Sequence, residues 1–331
     1  MSAPEHDAIP CIDVAPLVAG PPASARDASP ALRAREALRD ACERTGFATV
    51  RGHGVPAPVV ARMRAAAERF FALPPERKHL AAPRRWNDQS RNVYRGWFPS
   101  AVAGKEGLDL GDPRLAASDR DLLARPWYEL PALPDELDGD WHRAVADYFG
   151  AVSALGVALV RALAAALGGD AALAASAFAR PRSLSTLRLN LYPAGLAPVE
   201  TSADDGAPLA CETHVDSGVL TLLHQDEVGG LEVRDGAGRW RSVPFAADTF
   251  VVNTGRALER MSGGRLRATA HRVRATGRRR LSIPLFLEPA HDVAVAPAAL
   301  GLAPRDGDGR DAETYEDFLR AQMAAFAEYE R

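Results

Sequence analysis

The second half of the chain constrains the fold most. From Leu184 onward, short segments of alternating apolar and polar residues follow one another, separated by Gly, Pro and Asp. A period of two is that of a β-strand with one buried face. The predicted strands are 184–192, 208–214, 218–223, 230–234, 239–243, 248–252, 267–274 and 279–287. Many short strands with turn residues between them predict an antiparallel sandwich or barrel.

The first half has a different character, rich in helices and loops. Residues 20–30 are rich in Pro, Ala and Ser, and residues 81–131 contain many Pro, Gly, Arg and aromatic residues without a clear period, so both segments predict loops. A short edge strand and turn are predicted over 9–17 and a strand over 47–51. The predicted helices are 31–44, 57–72, 134–167, 170–179 and 313–331.

The organisation predicted from these elements is a single domain spanning 1–331, because the β half alone would form only a small barrel. Helices would then pack against its outside. We expect a helical and loop region over 1–180, the β core over 181–290, and a C-terminal loop and helix over 291–331.

Charge and composition limit the classes of partner that are expected. The formal net charge is −3, so no basic field is expected to hold nucleic acid or an anionic membrane. The most apolar long stretch, 151–167, contains Arg161 and predicts a buried helix. The three cysteines are widely separated, and the N-terminus, MSAPEHDAIP, lacks the basic and apolar parts of a signal peptide. A cytoplasmic protein with a small-molecule substrate is expected, and its oligomeric state stays open.

The motif His214-Val-Asp216 predicts a metal site. In a strand, residues i and i+2 point to the same face, so an imidazole and a carboxylate would meet at one point. Of the eight histidines, His271 lies in a later strand, Thr-Ala-His-Arg-Val, which can return beside the first. Two His and one carboxylate on one face, with open positions, is the ligand set of non-haem iron(II) oxygenases. The alternative is a surface His and an Asp in a turn.

Two further strands carry polar residues at strand spacing. Asn190 and Tyr192 share a face with Arg188, and Arg280 shares one with Ser282. Such groups are costly to bury without a partner, and a dicarboxylate would supply one. Arg280 could clamp a carboxylate through two hydrogen bonds, with Ser282 and Tyr192 donating to the same oxygens. The alternative is that the 188–192 face points to solvent.

Motifs along nearly the whole chain resemble those of the Fe(II)/2-oxoglutarate-dependent dioxygenases related to isopenicillin N synthase. IPCIDVAPL, RGHGVP and RFFALPPERK are similar to the N-terminal segments of that family, and VYRGWFP and KEGLDLG to its bacterial loop motifs. RLNLYP, HVDSGVLTLL, GGLEV, TAHRV and RRLSIPLFLEP are similar to its core strands.

The resemblance implies a double-stranded β-helix, also called a jelly roll or cupin-like fold, flanked by helices. It also implies Fe(II) as cofactor, with 2-oxoglutarate and O2 as co-substrates. The reaction would hydroxylate, desaturate or cyclise a small organic molecule, in natural-product biosynthesis, with no catalytic residue beyond the metal ligands. The residues that match the family's motifs are His214, Asp216 and His271 for iron, and Arg280, Ser282, Tyr192 and Asn190 for 2-oxoglutarate.

Two positions depart from the family's pattern. Arg256 stands where many members have an acidic residue, and we expect it to alter a loop near the site. The segment 194–207 is longer than in many members and is expected to cover the entrance.

The primary substrate is not encoded in a motif. In the family, the loops 84–112 and the C-terminal helix usually shape the substrate pocket. Candidate contacts to an acidic or aromatic substrate, for which packing is the alternative role, are Arg91, Tyr94, Arg95 and Trp97.

Three other functions remain open at the level of sequence. An oxidase like isopenicillin N synthase would need no 2-oxoglutarate, and succinate formation would discriminate it. A catalytically silent barrel could act as a binding protein, although the intact ligand set gives no reason for this. A facial site of two His and one Asp can also take zinc in a hydrolase.

Overall fold

A computed structural model describes residues 9–19, 25–90, 92–195, 197–303 and 313–323. Its helices are α1 (Ala15–Val18), α2 (Ala25–Arg44), α3 (Ala57–Phe71), α4 (Pro75–Lys78), α5 (Ser100–Ala103), α6 (Arg120–Leu123), α7 (Gly139–Ala166), α8 (Ala171–Ser176), α9 (Arg256–Met261) and α10 (Tyr315–Met323). Its strands are β1 (Cys11–Asp13), β2 (Phe47–Arg51), β3 (Trp97–Phe98), β4 (Glu106–Leu110), β5 (Thr186–Tyr192), β6 (Glu200–Thr201), β7 (Pro208–His214), β8 (Leu220–Gln225), β9 (Leu231–Arg234), β10 (Trp240–Ser242), β11 (Phe250–Thr254), β12 (His271–Arg274) and β13 (Arg280–Leu287).

These strands form two sheets. Among the described residues, the major sheet has the order β1-β2-β11-β8-β13-β5-β4-β3, and the minor sheet the order β10-β9-β12-β7-β6. Neighbouring strands pair antiparallel except β1 and β2, which are parallel. The mainly β architecture with flanking helices is the one predicted from the alternation, and β1 lies at the sheet edge as expected.

Strands β5 and β13 separate the apolar core from a cavity. The leucines 187, 189 and 191 of β5 are buried in the main core, as are alternate residues of β13 such as Ile283 and Leu285. The residues between them line the cavity on the other face. Because side chains alternate across a strand, the same two strands serve both purposes.

Helix α7 covers the core side of the major sheet. The Tyr148 hydroxyl donates to the Ile283 carbonyl oxygen at 3.2 Å, and Asp138 caps the helix by accepting from the Trp141 amide at 3.0 Å. By length and composition this helix could cross a membrane, but 56% of its most apolar window is buried in the fold. It is the buried helix that the sequence predicts over this region.

The first long helix starts earlier than predicted. The sequence predicts a loop over 20–30, yet α2 starts at Ala25 and includes Pro30. Pro30 is the sixth residue of this helix, so it removes one interior backbone hydrogen bond, and the helix continues past it. The helix ends as predicted before Gly46, whose φ of +69° and a Cβ site only 2.3 Å from the Arg267 carbonyl oxygen both require glycine.

The region 81–131 contains strands that the sequence does not predict. Long loops are expected there, but β3 and β4 extend the major sheet beside β5. In the register of β4 with β5, Asp109 lies opposite Arg188. A five-residue strand that contains Gly107 has no clear alternation of its own, so only its partner strand identifies it.

The segment 194–207 lies on the edge of the minor sheet. It contains β6, which the sequence also does not predict and which pairs with β7. The fully buried Arg272 of β12 donates to Ser202 Oγ at 2.8 Å, to Asp205 Oδ2 at 2.6 Å and to Glu232 Oε2 at 2.8 Å. These bonds attach the segment to the sheet face that is opposite to His271, because adjacent residues of a strand point to opposite faces.

Arg256, the departure from the family's pattern, begins α9, a helix that the sequence does not predict. Its side chain is exposed, and its backbone amide donates to the Asp216 carbonyl oxygen at 2.9 Å. Residue 256 therefore contacts the metal-binding loop through its backbone, and this contact does not depend on its side chain.

Candidate metal and co-substrate site

The three predicted ligands lie close together at the minor sheet, where one strand ends and its neighbour begins. His214 ends β7, His271 begins β12, and the two are register partners. Asp216 Oδ1 lies 3.7 Å from His214 Nε2 and 3.6 Å from His271 Nε2. One donor atom from each residue lies within 4.8 Å of the other two, so the three atoms can surround one ion.

Backbone contacts orient both imidazoles. Nδ1 of His214 lies 2.9 Å from the Glu212 carbonyl oxygen, and Nδ1 of His271 lies 3.1 Å from that of Thr269. A carbonyl accepts only from a protonated Nδ1, so each ring in its neutral form presents the lone pair of Nε2 to the common point. This is the usual outer contact of a metal-binding histidine. Burial lowers the pKa of His214, but Cys211 and Asp216 outweigh it and raise the pKa to about 9, so a metal ion that binds here must displace this proton.

The carboxylate of Asp216 is held from behind. Its Oδ2 accepts a short hydrogen bond from the Thr221 hydroxyl and a second one, at 2.8 Å, from Asn253 Nδ2. Thr221 and Asn253 are register partners on β8 and β11. Sequence analysis assigns no role to either, although Thr221 interrupts the apolar run 219–223 and Asn253 directly follows the apolar run 250–252, which is the signal that identifies them.

The protonation states of His271 and Asp216 favour metal binding. Burial, and secondarily His214, lower the pKa of His271 to about 4, so its ring is neutral at pH 7. Burial raises the pKa of Asp216, but His271, His214 and the hydrogen bonds from Thr221 and Asn253 outweigh it and leave the pKa below its ordinary value. A neutral imidazole and an ionised carboxylate are the forms that bind a divalent ion.

A cavity of about 150 Å³ extends from these ligands along β5 and β13. Alternate residues of the two strands line it: Thr186, Arg188, Asn190, Tyr192, Arg280, Ser282, Pro284, Phe286 and Glu288. The polar faces therefore point inward, as the burial argument required.

At one end of the cavity lies Arg280, which is 3% exposed. Its Nε donates to the Gly229 carbonyl oxygen at 2.8 Å and its Nη2 to Gln225 Oε1 at 3.5 Å, while its guanidinium carbon lies 4.9 Å from the centroid of the Tyr192 ring. Its buried Nη1 has no hydrogen-bond partner within the described part of the chain. An unpaired buried guanidinium N–H is costly, and a ligand carboxylate is the partner that fits.

Two neighbours complete this end. Asn190 and Ser282 are register partners, and Asn190 Nδ2 donates to Ser282 Oγ at 3.5 Å while its buried Oδ1 has no partner. Asn190 is 5% exposed and Tyr192 6%, which excludes the alternative that they face solvent. The residues present thus fit a dicarboxylate.

Lys105 joins this end of the cavity and has no signal in the sequence, because the loop before β4 shows no period. It is 6% exposed, lines the cavity, and its Nζ lies 3.7 Å from Cys211 Sγ. Burial, and then Cys211, raise the pKa of Tyr192, whereas Arg280 and Lys105 lower it. The Tyr192 hydroxyl therefore stays protonated and can donate.

The four substrate candidates separate. Tyr94 lines the cavity. Arg95, which is 2% exposed, donates to Thr186 Oγ1 and to the Leu184 carbonyl oxygen, and it is not among the described residues that line the cavity. Trp97 is also absent from that lining and donates through Nε1 to Glu106 Oε1 at 2.6 Å. For these two, packing is the role that the structure supports, and Arg91 lies outside the described residues.

The patterns of two families match the chain. The 2OG-Fe(II) oxygenase superfamily matches residues 184–289, and the family described as the non-haem dioxygenase in morphine synthesis N-terminal matches residues 9–126. The first match contains all seven residues assigned here to iron and 2-oxoglutarate. The second covers helices α1–α6 and strands β1–β4, which belong to the major sheet.

Curated relatives match almost the full chain. Gibberellin 20 oxidase 1-D of Triticum aestivum is 31% identical over 326 residues, covering 97% of this chain and 82% of the relative. Isopenicillin N synthase of Amycolatopsis lactamdurans is 28% identical and covers 94% of each chain.

Solved structures agree with the fold. The structure of rice DAO, the dioxygenase for auxin oxidation, has a TM-score of 0.70 and 30% identity, with 96% of each chain covered. A full-length Neurospora crassa protein, solved in complex with alpha-KG and 5-formyluracil, has a TM-score of 0.77 and covers 98% of each chain at 24% identity, which supports the fold alone.

The expected double-stranded β-helix core and the dependence on Fe(II), 2-oxoglutarate and O2 are thereby confirmed. The chain is an oxidoreductase and belongs to the 2OG-Fe(II) oxygenase superfamily.

Proposed function

We propose that His214, Asp216 and His271 bind Fe(II), and that 2-oxoglutarate lies between the iron and Arg280. The primary substrate, a small organic molecule, occupies the rest of the cavity and is hydroxylated, desaturated or cyclised. The observation that carries this assignment is the pairing of a three-ligand cluster with an unpartnered guanidinium N–H in one cavity.

Fe(II) held by His214, Asp216 and His271 would supply the activation of O2 for oxidation of a substrate C–H bond, coupled to conversion of 2-oxoglutarate to succinate and CO2. The protein's residues position the reactants. Thr221 and Asn253 hold Asp216 Oδ2, which leaves Oδ1 for the metal. Arg280 and Ser282 orient the distal carboxylate of the co-substrate, and apolar side chains such as Phe286 and Leu223 exclude water.

The chain is also proposed to be one domain. A continuous apolar core includes Leu38 of α2, Phe70 of α3, Leu159 of α7, Leu285 of β13 and Phe318 of α10. Residues of the N-terminal, central and C-terminal parts therefore stabilise one another, which supports common folding.

We further place the reaction in natural-product biosynthesis in the cytoplasm, with neither nucleic acid nor membrane as partner. Support comes from relatives named for small molecules, gibberellin and isopenicillin N, and from the net charge of −3. A net charge of this sign gives no basic field that would attract a polyanion.

The test is succinate release from the protein after anaerobic loading with iron, followed by 2-oxoglutarate and air. Wild type is compared with His214→Ala and Arg280→Ala, and the exposed His142→Ala serves as a control for loss of an imidazole. Bound iron is measured separately in each variant.

Wild type and His142→Ala should bind iron and release succinate slowly even without the primary substrate. His214→Ala should lose iron, and Arg280→Ala should keep iron but need a much higher 2-oxoglutarate concentration. Iron binding in the wild type without any succinate would favour the isopenicillin N synthase type of oxidase. Absence of iron binding would show that the metal assignment is wrong.

A further inference from the structure

Glu288, like Arg280 and Asn190, is a buried residue of the cavity with one polar atom that lacks a partner among the described residues. It follows β13, is 4% exposed and lines the cavity. Its Oε1 accepts from the Tyr315 hydroxyl at 2.9 Å, whereas its buried Oε2 has no hydrogen-bond partner among the residues that the structure describes. A buried carboxylate oxygen left without a donor costs free energy, so a ligand that supplies one would bind favourably.

Glu288 lies at the substrate end of the cavity, beside the loop that carries Asp216. Phe286 is the register partner of Thr221, whose hydroxyl bonds to Asp216. Glu288 lies two residues further along the chain, about 7 Å at the usual rise of a strand. It also lies beside Gly218, where an added Cβ would be 3.5 Å from Glu288 Cγ. That distance is an ordinary van der Waals contact, so the loop that carries Asp216 passes directly beside Glu288.

The surroundings of Glu288 are mostly apolar. Phe286 and Pro284 separate it from the co-substrate end, and Leu319 and Met323 of α10 line the same cavity. The nearest lining arginine, Arg188, already donates to both oxygens of Asp109, at 2.6 and 2.7 Å. A substrate carboxylate at this place would face the carboxyl group of Glu288, and Arg188 would not neutralise it because its charge is already paired with Asp109.

We propose that Glu288 Oε2 accepts a hydrogen bond from the primary substrate, and that the substrate therefore carries an N–H or O–H donor, not an anion, at the end that contacts Glu288. Its remaining body is apolar. This inference rests on the proposed function, since it assumes that the substrate occupies the cavity beside 2-oxoglutarate.

Three probes of similar shape test the proposal: benzylamine, benzyl alcohol and benzoate. Binding is measured by titration calorimetry, without oxygen, to full-length protein loaded with Fe(II) and 2-oxoglutarate. Loading is verified beforehand from the iron content and from the visible absorption of the iron–2-oxoglutarate complex. That verification tests the proposed function separately from Glu288.

Wild type should bind the amine and the alcohol roughly 10-fold or more tightly than benzoate, as expected for hydrogen bonds to a carboxylate. Glu288→Leu keeps the approximate size but removes the acceptor, and it should lose this preference. Glu288→Gln keeps an acceptor without the charge, so it should retain binding of the alcohol and weaken that of the amine. The exposed Glu227→Gln is the control for loss of a carboxylate.

Equal affinity of loaded wild type for benzoate and the two donors would overturn the proposal. So would an unchanged preference in a folded, loaded Glu288→Leu protein, or failure of all three probes to bind loaded wild type at millimolar concentration. In each of these cases the proposed function would stand. Failure of the loading step itself would contradict the proposed function, and the inference on Glu288 with it.

Discussion

The two ends of the cavity are built in different ways. At the iron and 2-oxoglutarate end, the proposed functional residues are cross-strand partners: His214 with His271, and Asn190 with Ser282. At the other end, the lining comes from segments far apart in the chain: Tyr94 before β3, the end of β13, and helix α10. Strand pairing therefore determines the reacting end, whereas packing between distant elements determines the substrate end.

The difference teaches where specificity can change. A residue fixed by register on both sides can hardly move without disturbing the sheet. Side chains contributed by a helix and by long loops can vary while the iron end stays intact. Substitutions at the two ends should accordingly have separable effects, and four predictions test this separation.

The largest effect is expected at the metal. Asp216→Ala removes the ligand that lies 3.6–3.7 Å from both imidazoles. Iron affinity and succinate release should both fall more than ~100-fold, exceeding the effect of changing an outer contact. Iron content and turnover are the measurements. Iron retained at the wild-type level would mean that the ion does not bind at this residue.

The next effect tests whether register partners act as a unit. Thr221→Val and Asn253→Ala each remove one hydrogen bond to Asp216 Oδ2. Iron affinity or turnover should drop by ~10–100-fold while the 2-oxoglutarate requirement of the loaded enzyme changes little. Competition with a chelator measures the affinity. A change confined to 2-oxoglutarate binding would contradict this division of roles.

The third prediction concerns stability at the substrate end. Burial raises the pKa of Glu288 from 4.5 to about 7. The unfolded chain therefore releases this proton at a lower pH than the folded chain, and the carboxyl lowers stability as pH rises from about 4.5 to 7. Glu288→Gln lacks that loss. Its free energy of unfolding relative to wild type should increase by on the order of 3 kcal/mol across this window.

Urea unfolding at about pH 5 and about pH 8 measures that difference. The exposed Glu227→Gln controls for the loss of a carboxylate elsewhere. A Glu288→Gln protein whose relative stability falls with rising pH would show that the carboxyl is stabilised, not strained, by its surroundings.

The smallest effect distinguishes packing from substrate contact. Trp97→Phe removes the hydrogen bond to Glu106, 2.6 Å long, and should lower stability by about 1–3 kcal/mol. Because Trp97 does not line the cavity, KM for the primary substrate should stay unchanged, unlike that of Tyr94→Phe at the cavity wall. A shift in KM for the Trp97 variant alone would reverse the two assignments.

The same contrast explains what the sequence can predict. Alternation along β5, β7, β12 and β13 indicates which residues face one another, so candidate metal ligands and 2-oxoglutarate residues can be named without knowledge of the fold. Strand β4 is missed because its identity depends on pairing with β5. Arg95 and Trp97 become substrate candidates because a local pattern does not reveal which long-range acceptors a buried donor meets.

Glu288 has no sequence signal for the same reason. Its partner Tyr315 lies on the C-terminal helix, and its neighbour Gly218 lies on the loop that follows β7. Neither relation has a fixed spacing in the chain. Thr221 and Asn253, by contrast, could have been recognised, since each places a polar side chain within or directly after an apolar run of the chain.

The alternate residues from Arg280, where β13 begins, to Glu288, directly after its end, lie at regular intervals along the cavity. They fix the co-substrate anchor and the proposed substrate anchor at a constant separation, set by a strand rise of about 3.3 Å per residue. In chemical terms this implies regioselectivity: the carbon that is oxidised lies a set number of bonds from the donor end of the substrate. Inserting one methylene between the donor and the oxidised carbon would move oxidation to the neighbouring carbon, which then lies at the original distance from the donor.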